Sequence, residues 1–250
     1  MRFDDQNVVV AGGGSGIGQA TALLFSSYGA KVVAADRNLD GARETVELIQ
    51  QVGGEATAVQ FDITSRADNE RLVQEAVAAF GPVSVMASTV GWSDTTFFAD
   101  EDEDYWDRII RINLLGSIYF SRAAFDHMKE HGKGGAIVLT SSDAGKVGTL
   151  GETVYAAAKA GVIGFVKSLA RETARDNIRV NAISPGPTDT PLLRAQSDQH
   201  VIDRMIKAVP LKRMGTADEQ AAPIVFLASA GASYITGQTL SVSGGLTMTS

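Results

Sequence analysis

The sequence predicts a doubly wound α/β fold: one unit of 250 residues built on a parallel sheet of about seven strands, with helices on both faces. Three observations predict it. Short runs of Val, Ala and Ile alternate with longer amphipathic stretches along the whole chain. Those runs are continuously apolar, as strands covered on both faces require. A glycine-rich turn joins the first run to the first amphipathic stretch, where such folds bind nucleotides.

In chain order, strands are expected at 8–11, 31–35, 56–61, 83–88, 136–140, 179–183 and 239–242. Helices are expected at 17–28, 39–52, 66–80, about 103–130, 153–176 and 217–229. The rhythm fails only over about 186–214, which holds Pro187, Pro191 and Pro210. An excursion of that length in a compact domain is usually a lid or binding loop, and its middle, from Leu192 to Lys207, suits short helices. The expected lid covers 187–214 of a single catalytic domain, 1–250.

Composition narrows the function. The net charge is −7, and the 22 Lys and Arg residues are scattered, so no basic footprint for nucleic acid exists. There is no cysteine, which excludes disulfides, thiolate catalysis and Cys-ligated metal. His127 and His131 stand four apart without an HExxH pattern, which favours an exposed helix end over a metal site. The acidic run Asp100 to Asp104 reads as a solvated loop feeding a helix N-terminus, or else as a patch for a cationic partner. No secretory signal or membrane-length apolar run is visible, so a cytoplasmic protein without membrane partner or metal is expected.

The turn reads Gly12-Gly13-Gly14-Ser15-Gly16-Ile17-Gly18. Absent side chains let the backbone approach a pyrophosphate, and the following helix N-terminus offers N–H groups and positive dipole to that anion. Asp36 ends the second strand, 18 residues after Gly18. A carboxylate there accepts from adenosine ribose hydroxyls and repels a 2′-phosphate, favouring NAD over NADP. Arg37 beside it softens that choice. Asp62 and Ile63 end the third strand at the same sheet edge, Asp62 either near the adenine or capping a helix.

Tyr155 and Lys159 are i and i+4 on an expected helix and share a face across three alanines. An ammonium beside a phenol favours the phenolate, so the tyrosine pKa is expected to fall toward working pH and suit it to proton transfer with an alcohol or carbonyl. Ser142 lies 13 residues before Tyr155, at the end of a strand, where its hydroxyl would bind the substrate oxygen. Asn113 sits inside a helix that disfavours Asn, which suggests either a purpose or a buried amide satisfied by backbone.

These residues, with Asn181-Ala182-Ile183-Ser184-Pro185-Gly186, resemble the short-chain dehydrogenases/reductases over the whole chain. The resemblance implies a single-domain Rossmann fold and oxidoreduction between a secondary alcohol and a ketone. It makes Tyr155 the general acid/base, Ser142 the oxygen anchor, and Lys159 the tuner of Tyr155 and ligand of the nicotinamide ribose. Asn113 would hold a water in a proton relay. Pro185, Gly186 and Thr188 would contact the nicotinamide end, with Thr190 near the pyrophosphate. It also implies a homotetramer assembled through two long helices and the last strand.

One stretch departs from the family, which usually carries Asn-Asn-Ala-Gly after the fourth strand. Here it reads Ser88-Thr89-Val90-Gly91, with cofactor binding expected to survive through the backbone of Gly91. More narrowly, Ser142-Asp143-Ala144, Gly151-Glu152 and Trp92 resemble the 2-hydroxycyclohexanecarboxyl-CoA dehydrogenases. Trp92, Asp143, Ala144 and Glu152 are therefore expected at the substrate pocket, with a cyclic or β-hydroxyacyl-CoA as substrate. Arg194, Arg204, Lys207, Lys212 and Arg213 would either reach CoA phosphates or form a solvated lid. The alternatives are an NADPH-dependent 3-oxoacyl-thioester reductase and, from another class, a non-catalytic dinucleotide-sensing regulator.

Overall fold

Seven parallel strands form one sheet in the order β3-β2-β1-β4-β5-β6-β7 in a computed structural model that describes residues 1–249. The strands are β1 (Asn7–Ala11), β2 (Lys31–Asp36), β3 (Ala56–Gln60), β4 (Val83–Ser88), β5 (Gly135–Thr140), β6 (Ile178–Pro185) and β7 (Thr239–Val242). Between them run α1 (Gly16–Ser27), α2 (Leu39–Gln51), α3 (Arg66–Phe80), α4 (Glu103–Ile110), α5 (Gly116–His131), α6 (Ala144–Val147), α7 (Thr153–Thr173), α8 (Pro191–Gln196), α9 (Gln199–Ala208) and α10 (Ala217–Ala228).

The sheet is apolar on both faces because its residues alternate between two cores. Val9 and Ala11 of β1, with Ile137 and Leu139 of β5, pack under α3, α5 and α7 through Leu72, Phe120 and Val166. Val8 and Val10, with Ala136 and Val138, face α1 and α10 through Phe25, Ile224 and Val225. A strand with one polar face could not sit between two helical layers, so the unbroken Val/Ala runs follow from the architecture.

The chain winds outward from β1 to β3, then returns to place β4 on the other side of β1. At that reversal the connections leave the C-terminal strand ends in opposite directions and open a cleft between them. The cleft has a volume of 590 Å³ and is lined from Gly12 across to Trp92.

The expected 103–130 helix is one rod with an irregular centre. A π-helical turn, Arg111–Leu115, joins α4 to α5, and Asn113 lies in it. Such a wide turn swings a residue out of ordinary helical register and is common at functional sites. The acidic run starts this rod: Asp102 caps α4 by accepting from the Tyr105 N–H at 2.8 Å, and Glu103 and Asp104 occupy the first turn, where the dipole favours them.

His127 departs from the expectation of an exposed helix end. It is half-buried, and its Nε2 accepts the Val83 N–H at 3.0 Å at the head of β4. Burial and the neighbouring His131, stacked at 6.0 Å, lower its pKa and keep the ring neutral for that bond. The excursion after β6 contains α8 and α9, as the 192–207 pattern suggested. No helix is long and apolar enough to cross a membrane among the described residues.

Candidate active site

The glycine turn follows β1 and hangs on β2. The N–H groups of Gly12 and Gly13 both donate to Ala35 O, at 2.8 and 3.1 Å. Gly12 has φ +81°, and a Cβ there would meet Thr89 Oγ1 at 2.6 Å. A Cβ on Gly18 would lie 1.8 Å from Gly12 O, so only glycine lets α1 start this close beneath the turn.

Ser15 is the N-cap of α1, yet its hydroxyl makes no capping bond. The first N–H groups of the helix therefore point without a side-chain partner into the cleft that Ser15, Gly16, Ile17 and Gly18 line. An uncapped helix start under a glycine-rich cradle fits the pyrophosphate of a dinucleotide.

Asp36 lines the same cleft beside Arg37. Its Oδ2 accepts the Gly14 N–H at 2.9 Å and its Oδ1 the Asn38 N–H at 2.8 Å. A carboxylate has about four lone-pair positions, so two remain for ribose hydroxyls. The residue thus shapes the turn as well as lining the cleft. Asp62 stands exposed at the rim with Ile63 behind it. Its Oδ1 accepts from both N and Oγ1 of Thr64, at 2.9 and 2.8 Å. The helix cap nearby is Ser65, which accepts the Asp68 N–H, so Asp62 does not cap α3.

The unusual Ser88-Thr89-Val90-Gly91 has a local reason. Ser88 is buried in β4, and Thr89 donates through both N and Oγ1 to Ala11 O, at 2.9 and 3.0 Å. That hydroxyl packs against Gly12 and closes the floor of the turn. Gly91 then passes over the buried lysine: a Cβ there would sit 3.1 Å from Lys159 Nζ and 3.3 Å from Asn113 Oδ1.

Asn113 is fully buried. Its Nδ2 donates to Trp92 O at 2.7 Å and Ile109 O at 3.0 Å, while its Oδ1 accepts the Trp92 N–H at 3.1 Å. The side-chain amide is satisfied by backbone and pins the Gly91–Trp92 strip above Lys159. Trp92 lines the cleft, with the Arg108 guanidinium 3.7 Å from its ring centroid and Tyr105 packed against it edge-on at 5.9 Å.

Ser142, Tyr155 and Lys159 come together at the end of β5. Ser141 N donates to Ile183 O, Asp143 N to Pro185 O, and Ser141 Oγ to Lys159 O at 2.9 Å, so the loop is tied to β6 and α7 at once. Gly145 permits the closest part of this packing, because a Cβ there would meet the Lys159 carbonyl carbon at 2.6 Å. Ser142 Oγ accepts the Ala144 N–H at 3.2 Å and lies within hydrogen-bonding range of the Tyr155 phenol. Lys159 is 1% exposed; its Nζ donates to Thr140 O at 3.0 Å and stands 5.6 Å from the Tyr155 ring centroid.

The electrostatics reverse one expectation. Burial pushes the Tyr155 phenol above its ordinary range, the Glu152 charge adds to that rise, and only the Ser142 bond opposes it. The nearby lysine is not among the influences on the phenol, and burial draws its own pKa down, to about 8. In the protein alone, Tyr155 therefore keeps its proton at neutral pH.

Other expected pocket residues lie differently. Asp143 is buried, and its Oδ1 accepts from Ser184 Oγ at 2.9 Å, so its carboxylate ties β5 to β6 and faces away from open space. Ala144 is buried in the same turn. Glu152 is half-buried, with Ser93 Oγ donating to it at 3.3 Å. Thr190 lines the cleft, whereas Pro185, Gly186 and Thr188 lie beyond its lining at the end of β6, where Thr188 Oγ1 donates to Gly186 O at 2.9 Å. Of the lid cations, Arg194 and Arg213 are engaged by Asp189 and Glu219 in two-pronged pairs, and Lys212 Nζ donates to Lys207 O.

Arg108 and Ile112 line the cleft without having been singled out from sequence. Ile112 adjoins Asn113, and Arg108 lies five residues before it, so the helix that carries Asn113 was the signal for both.

A cleft at the strand reversal, with a glycine-rich helix start, defines a dinucleotide-binding α/β protein. The enoyl-(acyl carrier protein) reductase family profile matches residues 11–247. The chain is 38% identical to a (3R)-3-hydroxyacyl-CoA dehydrogenase of Canis lupus familiaris, over 99% of this chain and 98% of that protein. It is 35% identical to the 3-oxoacyl-[acyl-carrier-protein] reductase FabG of Thermotoga maritima, over 98% and 99%. It is 38% identical to an L-rhamnose 1-dehydrogenase (NAD(P)(+)) of Azotobacter vinelandii, over 98% of each. The chain belongs to the short-chain dehydrogenase/reductase family, whose members are oxidoreductases that use nicotinamide cofactors.

The buried lysine makes a stability prediction. Its pKa in the folded chain, about 8, is below the unfolded value of 10.5. Below pH 8 both states hold the proton and the folded state bears the full cost of burying the charge. Between those values the unfolded chain binds more protons, so stability rises with pH. Relative to Lys159→Met, the cofactor-free protein should gain about 2 kcal/mol between about pH 7 and 9.5. Urea denaturation at the two pH values checks this; a difference independent of pH would contradict an ammonium buried at this cost.

Proposed function

We propose that the protein is an NAD(H)-dependent dehydrogenase interconverting a secondary alcohol and a ketone on an acyl thioester, of the β-hydroxyacyl-CoA kind. The observation that carries this reading is the convergence of Ser142, Tyr155 and Lys159 beside a dinucleotide cleft. The substrate class draws support from relatives named for 3-hydroxyacyl-CoA and 3-oxoacyl carrier-protein substrates. A cyclic β-hydroxyacyl-CoA falls within it.

When bound, nicotinamide supplies the hydride acceptor or donor and, when oxidised, a positive charge. Gly12, Ser15, Gly16, Ile17 and Gly18 would hold the pyrophosphate, with Thr190 at the same wall. Asp36 would hold the adenosine ribose, with Asp62 and Ile63 flanking the adenine. Gly91, Pro185, Gly186 and Thr188 would border the nicotinamide. Ser142 holds the substrate oxygen against Tyr155. Tyr155 donates its proton to a carbonyl oxygen in reduction and takes the hydroxyl proton in oxidation. Lys159 would bind the second ribose, and Asn113 keeps the strip above it in place.

Arg37 supports a second reading, in which the cofactor is NADP(H), because it lines the cleft next to Asp36. The same account takes the protein as a cytoplasmic homotetramer through α5, α7 and β7. Its support is the open edge of β7, where Leu240 is 44% exposed.

Tyr155→Phe should lower kcat at least about a thousandfold and leave the NADH dissociation constant within about threefold. Residual activity near wild type would remove Tyr155 from proton transfer. Asp36→Asn, which keeps an acceptor for the turn, should shift the kcat/KM ratio from NAD toward NADP by about tenfold or more. An unchanged ratio would reject the ribose role and favour the Arg37 reading.

A further inference from the structure

Glu152 is a carboxylate that the proton transfer does not use. It precedes α7, three residues before Tyr155, and is half-buried. Its one hydrogen-bond partner is the Ser93 hydroxyl at 3.3 Å. Burial raises its pKa and no cation lowers it. Its charge is felt by Tyr155 on one side and by Tyr105 on the other. Its carboxylate thus bridges from the start of α7 to Ser93, on the wall that carries Trp92.

That wall is closed down on α7. Gly151 O accepts the Thr96 N–H at 3.0 Å, and Gln196 of the lid donates to Ser93 O at 2.5 Å. The approach beside it is apolar, with Leu150 82% and Val147 59% exposed. An unpaired, partly buried carboxylate next to a proton-transfer group is a poor structural device. It leaves acceptor positions unfilled and raises the cost of a neighbouring phenolate. Such a group makes sense where a ligand supplies the missing donor, and it repels any ligand carrying a like charge.

We propose that Glu152 is a specificity-determining residue that admits the neutral acyl thioester and refuses the free hydroxy acid. A hydroxyacyl thioester brings no charge to this wall, and its amide-bearing thiol arm offers N–H donors. The corresponding free acid brings a carboxylate toward a carboxylate. This inference rests on the alcohol-oxidation reading and adds to it the discrimination at the acyl carbon.

The test uses one acyl chain in two forms, a 3-hydroxyacyl N-acetylcysteamine thioester and the free 3-hydroxy acid. Each is assayed with NAD on the full-length wild type and on Glu152→Gln. Wild type should prefer the thioester by about a hundredfold in kcat/KM. Glu152→Gln should raise kcat/KM for the acid by about tenfold or more and so narrow the thioester-to-acid ratio by at least about that factor. Glu152→Ala gives the same comparison if the Gln variant does not fold. A thioester-to-acid ratio that stays the same in a variant that turns over the thioester normally would overturn the inference alone. Wild type that binds NADH but oxidises neither compound would overturn the alcohol-oxidation reading, and this inference with it.

Discussion

A lysine ammonium without a carboxylate partner, buried at the end of the central sheet, is the constraint that organises this molecule. Lys159 is held by one carbonyl, Thr140 O, where β5 stops. An ammonium has three donors, and leaving one unmet in a dry site is costly. The parts around it are arranged to keep it there. Gly145 lets α6 lie on its backbone, Ser141 ties its carbonyl, and Gly91 crosses above it with no side chain in the way. Asn113, displaced by the π-turn, fixes that crossing by two hydrogen bonds to the Trp92 backbone.

The same point joins the two halves of the site. The glycine turn, Thr89 and Asp36 line one side of the cleft, and β5 with α7 brings Ser142, Tyr155 and Lys159 to the other. Gly91 is the residue where they meet, since it lines the cleft and lies against Lys159. The reversal of strand order between β1 and β4 puts both halves at the same edge of the sheet. The electrostatics follow from the burial. Tyr155 is raised and Lys159 lowered, so burial moves each toward its neutral form.

Much of this was legible in the chain because it depends on local pattern. The Val and Ala runs located every strand to within about two residues, the margin at which element ends are ordinarily defined. The i, i+4 spacing set Tyr155 and Lys159 on one face of α7. What depends on tertiary contact was not legible. The direction of the Tyr155 shift is set by burial and by Glu152, not by the nearby lysine. Asp143 adjoins Ser142 in sequence, but its carboxylate turns to Ser184 on β6. His127 looked like a surface residue because its partner, the Val83 N–H, is 44 positions away. The Arg108–Trp92 stack and the Gln196–Ser93 clasp likewise join segments that share no pattern.

The central claim is that this edge of the sheet transfers hydride between a secondary carbinol and a nicotinamide. It is tested most directly with a 3-hydroxyacyl thioester deuterated at the carbinol carbon and incubated with NAD. The account predicts one deuterium in the reduced nicotinamide ring, read by mass spectrometry, for each ketone formed. Ketone formed without deuterium in the cofactor, or no cofactor reduction across a range of such thioesters, would contradict it.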